Sequence, residues 1–250
     1  MTLSVTDQEQ MAAHIRACGV EVGADIIVHS TLLGFGVLQG GVEMVYRALR
    51  SVVGEGGTIA VPTYLLGADP NLIYDAATTP SLAVGSFSEY LRQLDGAVRS
   101  PCPLHSHAAV GPKAALLNEV DGGISLGRGS DFDILHDAGF ATLMLGCPFK
   151  DGATFVMHLE AVAGVHFREW LDLRRKIRDP DGSVRSIRCR YYARKRGFDE
   201  DLQPILDLLQ ASGTIRTVPF RRTTSLYIPV VGYGVALEGL LKNPEMTLIK

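Results

Sequence analysis

The stretch Asp25-Ile26-Ile27-Val28-His29-Ser30-Thr31-Leu32-Leu33-Gly34-Phe35-Gly36, followed by Gly40-Gly41, decides the fold. Residues 25–29 are a short apolar run bounded by turn residues, the length of a buried strand. Small and polar residues follow at once. Val42, Val45, Tyr46, Leu49, Val52 and Val53 then recur at helical spacing until Gly54-Glu55-Gly56-Gly57 stops them. Thr58-Ile59-Ala60-Val61-Pro62 reads as the next strand, so the unit is strand, glycine-rich loop, helix, strand.

The same alternation continues outward in both directions. Upstream, Thr6-x-x-Glu9 reads as a capping box opening a helix that ends at Gly19. Downstream, Ser86-x-x-Glu89 opens another capped helix with Phe87, Tyr90, Leu91 and Leu94 apolar. Residues 107–111 and 141–146 read as buried strands, and Thr154 is expected to cap a short helix to about Ala163. Residues 183–190 have strand character, while 202–209 and 234–241 are helical. These elements predict an α/β fold: a mostly parallel central sheet sandwiched by helices, with residues 165–230 as a small, β-rich and basic C-terminal lobe of one domain over 1–250.

Composition sets the outer limits. The chain has 250 residues, 46% apolar and 20% charged, enough for one sizeable core and too apolar for a disordered chain. Its net charge of -3 argues against nucleic acid as a partner. Residues 225–241, the most apolar stretch, are broken by Pro229, Glu238 and glycines, so no membrane span is expected. The N-terminus lacks the basic and apolar regions of a signal peptide, and Cys18, Cys102, Cys147 and Cys189 are scattered without a C-x-x-C pair. A cytoplasmic protein with reduced, buried thiols is the expectation. Charge is uneven: residues 168–201 hold 11 Lys/Arg against 7 Asp/Glu, while residues 1–167 hold 8 against 17. Such a segment suits a solvated pair of strands, a phosphate, an acidic partner or a second copy of the chain, as in a homodimer.

Three stretches carry candidate chemistry. In His29 to Gly36 at the end of a strand, backbone N–H groups of small residues can approach a phosphate or thioester closely. It is neither a dinucleotide fingerprint, which needs a third glycine, nor a Walker loop, which needs a lysine. In Arg99 to Gly111, His105, Ser106 and His107 enter an apolar strand and need partners, either in an internal hydrogen-bond network or along a cleft wall. A metal-dependent hydrolase using His29, His105 and His107 is a minor alternative, since no further ligand completes the spacing. In Thr154 to Glu160, His158 sits near a helix N-terminus, where the field favours the neutral imidazole that a general base needs. His158 and Glu160 are two residues apart and do not share a helix face.

Together these segments resemble the aminoglycoside 3-N-acetyltransferase family, also called antibiotic N-acetyltransferases. The family's V-H-S-S-L is matched by Val28-His29-Ser30-Thr31-Leu32, its G-G by Gly40-Gly41, and its G-x-x-G-T-L-x-x-P-T by Gly54 to Thr63. T-P-S-x-x-G-x-x-S/T-E is matched from Thr79 to Glu89, R-S-x-x-P-x-H-S-x-A-A-x-G from Arg99 to Gly111, and G-x-G-S-x-F-D-x-L from Gly127 to Leu135. The resemblance implies an acyltransferase that moves the acetyl group of acetyl-CoA, a co-substrate, to the amine of a small molecule, with no metal. It also implies a histidine base backed by a carboxylate. Carried onto this chain, it gives His158 with Glu160 as catalytic pair, His29 beside the reacting centre, and Ser30, Thr31, Leu32, His105 and Ser106 along the CoA path. Backbone N–H groups from Thr31 to Leu33 are the expected donors to the thioester oxygen.

The chain departs from the family twice. At the family's histidine position, counted from Thr154, stands Met157, and the histidine follows one residue later. Either the local alignment shifts by one and His158 is the base, or the base role has moved, with His29 next in line, or the chain is a homologue that binds CoA without catalysis. The second departure is the basic segment after residue 165, which would suit an anionic amino sugar or biosynthetic amine and repel a polycationic aminoglycoside, the substrate of the resistance enzymes.

Overall fold

A computed structural model describes residues 4–82 and 84–249. In chain order its strands are β1 (Val5–Thr6), β2 (Ile26–Ser30), β3 (Val37–Leu38), β4 (Ile59–Pro62), β5 (Ile73–Asp75), β6 (Val98–Arg99), β7 (His107–Val110), β8 (Ala141–Leu145), β9 (Arg168–Arg178), β10 (Val184–Arg194), β11 (Arg216–Phe220) and β12 (Thr223–Ile228). Its helices are α1 (Gln8–Ala17), α2 (Gly41–Val53), α3 (Ser86–Arg92), α4 (Asp131–Asp137), α5 (Phe149–Gly152), α6 (Thr154–Ala163), α7 (Gln203–Ala211) and α8 (Val230–Lys242). A 3-10 turn, Leu32–Phe35, follows β2.

The main sheet runs β11-β12-β8-β2-β4-β7-β6 with helices on both faces. Strand β2 shows how the sequence builds it. Ile26 and Val28 pack with Val45, Leu49 and Val52 of α2, while Ile27, on the other face, packs with Leu117, Leu135 and Phe140. Successive strand residues point to opposite faces, so a strand covered on both sides reads as an unbroken apolar run. The period-2 alternation places His29 on the Ile27 face, in register with Met144 of β8.

The α/β class holds, but the sheet is mixed rather than mostly parallel. Only β8–β2 and β2–β4 pair parallel; β11–β12, β12–β8, β4–β7 and β7–β6 pair antiparallel. A run such as His107-Ala-Ala-Val110 has the same pattern in either direction, and direction is set by the length of the connection. The stretch 165–230 does not stay together as one lobe either. Strands β9 and β10 form a long ribbon that pairs with β5, β11 and β12 extend the main sheet, and α7 packs on α8. Two caps also move. Asp7, not Thr6, caps α1 in a capping box with Gln10. Gly85 precedes α3 without a side-chain cap, and Glu89 accepts instead from Ser81 and Arg92.

One buried cation ties the β4 and β7 ends together. Arg99 is 7% exposed and pairs with no carboxylate among the described residues. Its Nε donates to Thr63 Oγ1 at 3.0 Å and Ser106 Oγ at 3.2 Å, its terminal nitrogens donate to the Thr63 and Thr79 carbonyls, and its plane lies 4.9 Å from the Tyr74 ring centre. Replacing the fork by an apolar chain strands at least two buried acceptors, at about 1–3 kcal/mol each. Arg99→Met is therefore expected to lower the unfolding free energy by about 3 kcal/mol in urea titration at unchanged m-value. Arg99→Lys, which keeps charge but not the fork, should fall in between.

Candidate active site

Because β2, β4 and β8 run parallel, their carboxyl ends leave the sheet on one edge, where open α/β sheets hold ligands. A cleft of about 730 Å3 opens there. Its walls come from His29 to Leu33 at the end of β2 and beyond it, Pro62, Tyr64 and Leu66 at the end of β4 and beyond it, Cys147 after β8, Asp151 in α5 and Thr154 at the start of α6. The loops after β2 and β8 touch: Thr31 N–H donates to the Leu145 carbonyl at 3.0 Å. Gly146 permits this contact. Its φ is +64°, and a Cβ there would stand 2.6 Å from both the Phe35 ring and the Thr31 carbonyl oxygen.

His29, Ser30, Thr31 and Leu32 all line the cleft, together as the sequence predicts. The Thr31 N–H is engaged by Leu145, so of the donors expected in this loop only the N–H groups of Leu32 and Leu33 remain, at the first turn of the 3-10 helix, where a turn supplies no acceptor of its own. The other expected residues lie outside the lining. His105 is buried behind Tyr64, edge-on to its ring at 5.0 Å, with Nδ1 on Ser125 Oγ. Ser106 is buried under Arg99, its hydroxyl donating to the Thr63 carbonyl at 2.8 Å. His158 is 3% exposed and stacks on Phe132 at 5.8 Å, 5.1 Å from His136, with its Nδ1 unpartnered. Glu160 faces away from it: the carboxylate takes Arg168 Nε at 2.6 Å and Thr247 Oγ1 at 2.6 Å. Two residues turn a helix by more than half a revolution, so the pair separates as its spacing requires. Thr154 is the first residue of α6 rather than its cap, which is Ala153.

Tyr64, which sequence reading passed over, lines the cleft and leads to a buried network behind it. Tyr64 Oη lies 3.3 Å from His107 Nε2, and His107 Nδ1 lies 3.2 Å from Asp131 Oδ2. The same carboxylate oxygen accepts the His107 backbone N–H at 2.7 Å and the Ser100 hydroxyl at 2.7 Å. An aromatic residue just past a strand looks like core, and an aspartate after Ser130 looks like part of a helix cap, so neither carried a signal by itself. The polar residues entering β7 did, and the network expected of them is present. It uses His105 and His107 on separate partners, and among the described residues no group of three His, Cys, Asp or Glu is arranged to hold a metal ion.

Burial keeps the imidazoles of His29, His105 and His158 neutral. It pushes His29 down to about 3, with His107 adding to the drop, and His105 to about 3. His158 is pushed to about 4, with Asp133 opposing. Charge in the cleft is sparse: Asp151 is the one carboxylate, and neither Lys nor Arg occurs among the described lining residues. The basic ribbon lies off the cleft, and much of its charge is paired: Arg168 with Glu160 and Glu200, Arg178 with Asp75, Arg185 with Asp179, Arg188 with Asp172.

Comparison with known proteins bears on this geometry. A family model described as aminoglycoside 3-N-acetyltransferase matches residues 27–233. Aminoglycoside N(3)-acetyltransferase III of a Salmonella species is 32% identical over 224 residues, covering 82% of this chain and 75% of the relative. A solved structure described as AAC-IIIb binary with CoASH superposes with a TM-score of 0.85 at 25% identity, covering 96% of this chain and 97% of that one. A second, AAC-VIa bound to sisomicin, shares the fold with a TM-score of 0.83 at 20% identity, over 95% and 98% of the two chains.

The depressed histidines set a pH dependence. The unfolded chain takes up protons at His158 below pH 6.5, whereas the folded chain does so only near pH 4, so the stability that its burial confers is complete above 6.5 and lost as pH falls through 4. Urea titrations between pH 6.5 and 4 should show falling stability, and His158→Leu should make the slope shallower by up to about 1.4 kcal/mol per pH unit. An unchanged slope would mean that His158 titrates normally and is not buried.

Proposed function

This chain belongs to the aminoglycoside 3-N-acetyltransferase family, and from that membership and the cleft we propose that it acetylates the amine of a small molecule with few positive charges, an amino sugar or another biosynthetic amine. It is an acyltransferase with acetyl-CoA as co-substrate. The observation that carries the reading is the cleft at the shared carboxyl edge of β2, β4 and β8, walled by the segment from His29 to Leu33.

Acetyl-CoA supplies the acyl group, and the residues of the chain place it and the amine. Ser30, Thr31 and Leu32 line the path of the acyl arm. The Leu32 and Leu33 N–H groups serve as donors to the thioester oxygen in this reading, a contribution that preorganised donors make without reorganisation. His29 stands beside the reacting centre, neutral and buried. His158 and Glu160 support this site from behind, by packing α6 on α4 and by fixing its C-terminal half to Arg168.

The acceptor follows from charge. A cleft with one carboxylate, Asp151, and no cationic wall suits one ammonium group at a time. An aminoglycoside brings several, and most would find no partner there. The anionic acceptor that the basic segment suggested finds no cation in the lining, so the acceptor is neutral or weakly cationic apart from its reacting amine.

Release of CoA thiol from acetyl-CoA against a panel of amines tests this. Turnover is expected to be higher with mono- and diamino sugars than with aminoglycosides, and Asp151→Asn should raise KM for the amine about fivefold, the equivalent of about 1 kcal/mol, without changing KM for acetyl-CoA. Aminoglycosides turned over as well as simple amino sugars would overturn the acceptor class. Silence across the panel, with CoA still binding by calorimetry, would leave a CoA-binding homologue without catalysis.

A further inference from the structure

We propose that Tyr64 takes the proton of the attacking amine and that His107 and Asp131 hold and relay it, replacing the helix histidine for which this chain has Met157. The proposal rests on the acetyltransferase reading and names the base that reading lacks.

The vacancy is visible on α6. Thr154 lines the cleft, and Met157 lies one turn further on the same side of the helix, half-buried against the cluster that contains Tyr64. A thioether cannot accept a proton. His158 points instead to Phe132 and His136, outside the cleft lining. His29 lines the cleft but is held at about 3 by burial, too weak a base for an amine near neutral pH.

The end of β4, beside α6, supplies what α6 lacks. Tyr64 lines the cleft, and its hydroxyl is 3.3 Å from His107 Nε2. His107 is completely buried, and its Nδ1 faces Asp131 Oδ2 at 3.2 Å. Asp131 is itself fixed by the His107 backbone N–H and the Ser100 hydroxyl, both at 2.7 Å, while its Oδ1 is buried without a partner. With the carboxylate on Nδ1, the imidazole carries its proton there and offers Nε2 as acceptor to the Tyr64 hydroxyl. The Tyr64 phenol is pushed well above its ordinary value, chiefly by burial, so it stays protonated and serves as a conduit rather than as a standing phenolate.

The proton ledger closes without a further reactant. As the neutral amine nitrogen bonds to the acetyl carbon, its N–H proton passes to Tyr64 Oη and the Tyr64 proton passes to His107 Nε2. The imidazolium so formed faces Asp131. The C–S bond breaks with its electron pair on sulfur, and the proton returns from His107 through Tyr64 to the departing thiolate. Tyr64 is thus the catalytic residue; His107 and Asp131 act through it.

Tyr64→Phe keeps the ring and its packing, removing only the oxygen. Its kcat for acetyl transfer is expected to fall about 100-fold or more, with KM for acetyl-CoA unchanged and thermal unfolding within a few degrees of the parent. The parent should show a solvent deuterium isotope effect on kcat whose proton inventory is curved, from two protons in flight, and the variant should not. Nitrogen-15 NMR of histidine-labelled protein should find His107 protonated on Nδ1, with that signal altered in Asp131→Asn. A Tyr64→Phe enzyme within threefold of the parent in kcat, with the same isotope effect, would overturn the relay while leaving the transferase reading intact. A parent that binds CoA and acetylates no amine would overturn both.

Discussion

A single unpaired guanidinium organises the functional edge of this protein. Arg99 is buried without a carboxylate partner among the described residues, and its charge is met by neutral oxygens of Thr63, Ser106 and Thr79. Burying a cation this way is tolerable only when the donors of the planar fork are spread over well-placed acceptors, and burial accordingly lowers the arginine's pKa. The arrangement fixes the residue before Tyr64 and the residue between His105 and His107. The positions that face or back the cleft are therefore set by one side chain that never reaches it. Arg99 also lies over the Tyr74 ring, whose hydroxyl donates to the Ser100 carbonyl at 2.6 Å, so the same charge anchors the entry to β7.

The second constraint is directional. Three adjacent parallel strands deliver three loops to one edge, and the flanking antiparallel strand β7 begins at that edge, where Pro62 and His107 are register partners. A sheet parallel throughout would start β7 at the far edge and carry His107 away from Tyr64. The mixed topology, which departs from the expectation of a mostly parallel sheet, is thus what brings the start of one strand to the ends of three others. Gly146 adds close approach, since any side chain there would displace Phe35 or the Thr31 carbonyl and open the loop that walls the cleft.

Much of this was legible in the sequence, and the residues show why the rest was not. Residues 25–36 read correctly because burial on two faces leaves an apolar run and a loop that must approach a ligand leaves small residues. Strand direction and the fate of residues 165–230 did not, because hydrophobic pattern has no sense of direction and the β11–β12 hairpin joins a sheet built far upstream. The cap assigned to Thr6 moved to Asp7 because either residue can accept from the third helical N–H, and the chain beside Phe35 takes the Thr6 hydroxyl. Of the expected residues, His29 to Leu32 line the cleft together because they are contiguous. Tyr64, His107 and Asp131 come from the end of one strand, the start of another and the first turn of a helix, so only tertiary structure joins them. His158 illustrates the converse, a residue chosen for its motif that the fold buries beside Phe132 and His136, outside the cleft lining.

Met157 stands at the histidine position counted from Thr154, and α6 and the end of β4 differ in how firmly each would hold a base. A base on α6 would be carried by the first turns of a ten-residue helix whose N-cap residue, Ala153, offers no side-chain hydrogen bond. A base on the β4 end is carried by a strand terminus locked by Arg99 and backed by a carboxylate with two further donors. General base catalysis depends on holding the acceptor atom within hydrogen-bond reach of one proton, and sites on rigid sheet termini meet that demand better than sites on uncapped turns. Met157, half-buried against the cluster that contains Tyr64, adds an apolar, adaptable side chain there.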